Sequence, residues 1–158
     1  MKKALLVLAL LGTAGYTTYR VTRSSVAPTD GASLALDRIW LDHLPVSETD
    51  TVQVFVALTE QPFGVFQQAS MWRGAHELFQ YEKDGGKLRI EYPQTGEKET
   101  ARLTATRCSE RGMDFCLEIT GASRGVKRYY SKKGWEIDRM KSLGQVQPHI
   151  DALLAPAN

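Results

Sequence analysis

A chain of 158 residues, 42% of them hydrophobic, can bury one core but not two. Twenty basic side chains stand against eighteen acidic ones, and Lys2 and Lys3 belong to what reads as an export signal. The rest is close to neutral and has no general electrostatic hold on nucleic acid, which is excluded as an expected partner.

Lys2 and Lys3 precede an unbroken apolar run, residues 4–11, followed by Gly12, Thr13, Ala14 and Gly15. A basic start, a short apolar stretch and small residues describe a secretory signal peptide over residues 1–15. The run is well short of the ~20 residues that span a bilayer. Stretched to Tyr19, it also fits a short uncleaved anchor. The expected location is beyond the inner membrane, periplasmic or secreted, with a retained tether as the alternative. No cysteine stands there to carry a lipid. Residues 16–33 are rich in Ser, Thr, Ala and Gly and read as a flexible linker. Residues 34–158 form a single β-rich domain.

Residues 34–44 hold Trp40 and have mixed periodicity, fitting a strand or a short helix that Pro45 ends. In residues 51–60, Val52, Val54, Val56 and Leu58 alternate with Gln53, Phe55, Ala57 and Thr59. The second face is not very polar, so this strand is covered on both sides or borders a cavity. Residues 63–81 are ambiguous. Val65, Ala69, Trp72, His76 and Phe79 fall near helical spacing, but Gly64 and Gly74 oppose a helix and the aromatics favour strands. Two strands broken near Gly74 are expected; a helix there would make the fold α+β.

From Met71 to Ile137 short alternating runs are punctuated by turn residues, as in an antiparallel meander. Asp84-Gly85-Gly86 supplies a tight hairpin before Leu88, Ile90 and Tyr92. Ala101, Leu103 and Ala105 mark the next strand, and Phe115, Leu117 and Ile119 the one after. Residues 126–131 and a last strand carrying Trp135 and Ile137 follow. Near the end, Pro148 suits the first turn of a short helix whose Ile150, Leu153 and Leu154 share a face. The expected fold is all-β, an up-and-down meander closing into a small barrel or strongly curved sheet.

Cys108 and Cys116 flank a turn. If they face each other, Thr106 faces Glu118 and Thr104 faces Thr120, all on the polar side. An even cysteine count in an exported chain points to a structural disulfide. Neither Cys-x-x-Cys spacing nor nearby histidines suggest a redox pair or metal site.

Gly121-Ala122-Ser123-Arg124-Gly125 matches the Gly-x-Ser-x-Gly elbow of Ser hydrolases, and Asp138 and His149 follow in that order. The elbow needs a strand-to-helix turn, whereas a strand-like run follows here, so a glycine-flanked bend is the simpler reading. His76-Glu77 begins a zinc-peptidase motif, but Gln80 replaces its second histidine. Asp42-His43 is a base and orienter only if the two side chains meet, which neighbours in a strand do not. No enzyme, cofactor or metal is expected. Arg124, Lys127, Arg128, Lys132 and Lys133, interleaved with Tyr129, Tyr130 and Trp135, are suited to an anionic lipid or glycan surface or an envelope protein.

The hairpin ladder with a closing helix resembles the calycin class, the lipocalin and fatty-acid-binding barrels. The lipocalin Gly-x-Trp is not intact, since Arg38-Ile39 precede Trp40. The basic residue over that tryptophan would come from the last hairpin, as Arg128. The expected function is a non-enzymatic binding module for an apolar or amphipathic small molecule, with Trp40, Phe55, Phe79, Tyr81 and Trp135 lining a cavity. The alternative is an envelope interaction or assembly protein using a sheet face or the basic hairpin.

Overall fold

Side chains alternate across a strand, and the two faces of these strands build two separate cores. The computed structural model describes residues 31–70, 73–138 and 141–155. The readings on residues 1–30, the signal or anchor and most of the linker, lie outside the described residues, as does Trp72. Eight strands run in order: β1 (Trp40–Leu41), β2 (Val52–Leu58), β3 (Phe63–Ala69), β4 (Gly74–Asp84), β5 (Lys87–Glu91), β6 (Lys98–Arg107), β7 (Phe115–Thr120) and β8 (Arg128–Ser131). Each pairs antiparallel with the next, and β8 returns to β1 through Tyr130 opposite Leu41, closing the barrel. Closure removes the edges that an open sheet presents to foreign strands. The expected all-β meander is the fold.

Phe55, Phe66, Phe79, Leu88, Ile90, Leu103, Leu117 and Tyr129 point into the barrel with Trp40. The outer faces of β1–β3 form the second core. There Leu41, Val52, Val54, Val56 and Leu58 lie under α2 (Leu143–Leu154). Val146, Ile150 and Leu154 recur every four residues and supply the helix's buried stripe. The two-sided apolarity of β2 is thus explained by cover on both sides. The opposite wall, β4–β6, turns its outer face to water.

Residues 63–81 carry the two expected strands, β3 and β4, with the break just before Gly74, and not the alternative helix. Several other local readings are corrected. Residues 34–44 divide: α1 (Gly31–Ala35) begins inside the expected linker, and β1 follows. Gly31 lets the helix lie on β6, since a Cβ there would stand 3.0 Å from Ala105 N. Trp135 and Ile137 share a face as expected, but a single bridge between Arg38 and Glu136 stands in place of a strand. Pro148 sits inside α2 rather than in its first turn. The helix starts earlier because the Gln145 side chain accepts the Ser142 N–H at 2.9 Å. That cap and the buried stripe outweigh the one helix hydrogen bond that proline removes.

Cys108 and Cys116 are disulfide-bonded, with Cα atoms 5.7 Å apart. The register differs from the expected one: Thr106 faces Cys116, Thr104 faces Glu118 and Arg102 faces Thr120. An even shift keeps every side chain on its face. Cys108, just past the end of β6, therefore reaches Cys116 diagonally. Replacing both cysteines by alanine is expected to cost about 2–3 kcal/mol, because the closed loop is short. Urea unfolding reads this as a lower midpoint, and an unchanged midpoint would show that the turn is held without the bridge.

Candidate functional site at the barrel mouth

α1 plugs one end of the barrel, where Trp40 donates its indole N–H to Ala35 O at 2.8 Å. At the other end, the mouth, the connections 42–51, 92–97 and 121–127 come together with Ser70 and Arg73.

Residues 121–126 cross this mouth as a lid. Gly121 and Gly125 adopt positive φ, 86° and 69°. A Cβ on Gly125 would stand 2.2 Å from Tyr129 Oη and 2.7 Å from Phe66 Cδ1, so only glycine lets the loop lie this low on the rings. Ala122 and Val126 rest against the interior cluster. Arg124 fastens the lid to the rim. Its Nε donates to Glu77 Oε2 at 2.6 Å, its Nη1 to Ser123 Oγ at 2.5 Å, and its Nη2 to Glu97. The guanidinium lies over the Tyr92 ring, 4.3 Å from its centroid.

A second fastening runs through Glu99. One oxygen accepts the Ser123 N–H at 2.8 Å, and the other accepts the Tyr92 phenol. Burial, then the hydrogen bond to Glu99, pushes the Tyr92 pKa up, so this phenol stays a donor. Val126 N–H donates to Tyr129 Oη at 2.9 Å, and burial pushes that phenol up to about 12. The lid is held by side chains, where a strand would be held by ladder bonds.

At the same end a bay of about 720 Å³ opens among Thr49, Thr51, Gln68, Ser70 and Arg73. A second groove, about 730 Å³, lies on the outer face of β4–β6. Its charges are matched: Arg89 meets Asp84 at 2.9 Å and Lys98 meets Glu91 at 3.0 Å. That is how a solvated face is built.

No protein-family model matches this chain, and no curated protein or solved structure is significantly similar to it.

Trp40, Phe55, Phe79 and Tyr81 do come together inside the barrel. They fill it: Phe55, Phe66 and Phe79 lie 5.1–6.1 Å apart between ring centroids. Trp135 does not join them but faces outward in the α2 core. The five basic residues do not form one patch. Arg124 is bound to carboxylates at the mouth, and Arg128 pairs with Glu110 beside Tyr130. Lys132 and Lys133 stand at the far end of β8, where Lys133 N–H donates to Asp114. The basic group near Trp40 is Arg38, 6.0 Å from its ring centroid, and not Arg128.

Ser123 lies between two strands, and its Oγ is taken by Arg124. His149 is an exposed residue of α2. Asp42 and His43 do meet, because β1 ends at Leu41 and the strand rule no longer applies. His43 Nδ1 lies 2.9 Å from Asp42 Oδ1, and its Nε2 lies 3.2 Å from Asp50 Oδ2. Both ring nitrogens are engaged, which suits a structural clasp. The Val46 N–H, then His43, hold the Asp50 carboxyl below its usual range. Among the described residues, no His, Cys, Asp and Glu group has metal-site geometry, and no helix is long and apolar enough to cross a membrane.

Glu77, Glu97 and Glu99 fasten the lid and Arg73 lines the bay beside it; the sequence reading assigned no site role to any of them. Glu77 appeared only as part of a broken zinc motif. The available signal was alternation: Glu77 shares the inward face with Phe79 and Tyr81, a polar residue on an apolar stripe.

Proposed function

We propose that this chain is an exported, non-enzymatic binding module of calycin-like architecture that takes an amphipathic small molecule at its mouth. The observation that carries this reading is the lid: an aromatic interior covered by a loop fastened through Arg124 and Glu99. The interior rings already touch. The ligand's apolar part therefore takes the place of Ala122 and Val126 over Phe66 and Tyr129 instead of filling a hollow. The disulfide and the signal-like residues 1–15 support export. The occupied Ser123 Oγ and His43 nitrogens support a role without catalysis.

A ligand that binds only the open mouth has its affinity lowered by the fraction of molecules that are open. Arg124→Gln removes the ionic fastening and keeps a polar side chain. We expect it to bind N-phenylnaphthylamine, a neutral apolar dye, about tenfold more tightly than the unmodified protein. Equal affinities, or no saturable binding by either protein, would sink the reading.

A further inference from the structure

The bay beside the lid has a chemistry of its own. Three of its lining side chains, Thr49, Thr51 and Ser70, carry hydroxyls, Gln68 carries a carboxamide, and Arg73 carries the charge. Among the described residues, no carboxylate lines it. Asp50 lies between Thr49 and Thr51 in the chain, but its Oδ2 is turned to the Val46 N–H at 3.0 Å and to His43 at 3.2 Å. Arg38, Arg89, Arg124 and Arg128 each meet a carboxylate. The Arg73 guanidinium meets none among the described residues. Its backbone is nevertheless anchored: Ser70 N–H donates to Arg73 O at 2.7 Å, and Arg73 N–H to Ser70 Oγ at 3.2 Å. The bay thus gathers a guanidinium with no carboxylate partner, hydroxyls and a carboxamide in one lining. A planar fork with added neutral donors suits a phosphate oxyanion, which needs charge on one side and hydrogen bonds around it.

We infer that this bay is an anion site, holding a phosphate group at the mouth through Arg73, Thr49, Thr51 and Gln68. The inference rests on the mouth being the binding end and supplies the head-group chemistry of the amphipathic ligand. The phosphate is either the head of a single-chain amphiphile or free inorganic phosphate.

The test titrates the full protein with dodecyl phosphate, below its micelle concentration, and separately with inorganic phosphate. Arg73→Gln is expected to weaken dodecyl phosphate binding about tenfold or more, with Arg73→Lys in between. All three proteins should share one urea-unfolding midpoint, which shows that the fold is intact. Dodecyl phosphate binding more tightly than inorganic phosphate identifies an amphiphile; equal affinities with the same dependence on Arg73 identify free phosphate. Both outcomes support the anion site. Phosphate binding that depends on Arg73 in a protein that never takes the dye keeps the anion site and removes the lid reading. Equal dodecyl phosphate affinity in Arg73→Gln and the unmodified protein overturns the proposal.

Discussion

Gly64→Ala is expected to destabilise the barrel by about 3 kcal/mol, the upper end of the range for overpacking. Gly64 lies opposite Phe79 across the β3–β4 pair. A Cβ there would stand 2.2 Å from Phe79 Cζ and 2.6 Å from Val56 O. The carbonyl belongs to a neighbouring strand's backbone and cannot swing away. The Phe79 ring is fully buried, with centroids of Phe66 at 5.2 Å, Phe55 at 6.1 Å, Tyr81 at 6.2 Å and Tyr92 at 6.3 Å. Moving it displaces all four. Alanine itself suits the backbone here, since Gly64 is not among the positive-φ glycines. The loss is therefore steric, and shortening the ring should return part of it. In urea unfolding, Gly64→Ala/Phe79→Leu should lie closer to Phe79→Leu than Gly64→Ala lies to the unmodified protein. Additive losses would show that the two residues do not compete for one space.

The second large effect belongs to Arg38. We expect Arg38→Ala to cost about 3 kcal/mol, through lost packing and a lost buried hydrogen bond as much as lost charge. Only 4% of the residue is exposed. Its guanidinium lies 4.0 Å from the Phe115 ring centroid, donates to Lys132 O at 2.9 Å and pairs with Glu136. The Glu136 side chain is half exposed, so it rehydrates when the arginine is removed; the Lys132 carbonyl keeps the Trp135 N–H at 3.3 Å, and the Phe115 ring loses its cover. Arg38→Met, which refills the space without hydrogen bonds, should recover a measurable share. The effect also carries a pH signature. Burial raises the Glu136 pKa, but its own backbone N–H and Arg38 lower it further, leaving it below the ordinary 4.5. A depressed carboxyl stabilises the fold above its unfolded pKa and loses that contribution as pH falls through its folded value. The gap between Arg38→Ala and the unmodified protein should stay constant near neutrality and narrow below pH 4.5. A gap that stays constant at every pH would assign Arg38 a packing role alone.

Much of the fold was legible because its signals are local. Leu88 and Ile90, Ala101 to Ala105 and Phe115 to Ile119 alternate with period two, and each run became a strand facing the barrel interior. The glycines of the β4–β5 hairpin announced their turn, and Gly85 carries its positive φ. What stayed hidden depends on partners far along the chain. β1 is two residues long and has no period to detect. Arg38 meets Glu136, 98 residues away, and Arg124 meets Glu77, 47 residues away. No local spacing announces such pairs. Gly121 to Gly125 drew attention as a hydrolase elbow because glycine flanks a serine. The glycines serve instead to lay a loop on aromatic rings, a use that depends on Tyr129 and Phe66 being underneath.

The seam of the barrel has a consequence for how the molecule forms. β2 to β7 follow one another by short hairpins, so their pairing brings together residues that are neighbours in the chain and carries little loop entropy. Joining β8 to β1 brings together Tyr130 and Leu41, and Ser131 Oγ with Ile39 O, across nearly the whole domain. That contact waits for the last strand to be made. Until then the meander is an open sheet with bare outer strands, and β2 in particular shows apolar side chains on both faces. A chain interrupted before residue 128 cannot complete the ring. Any state in which the seam is unclosed exposes these outer strands, and the few residues of the seam decide when that exposure ends.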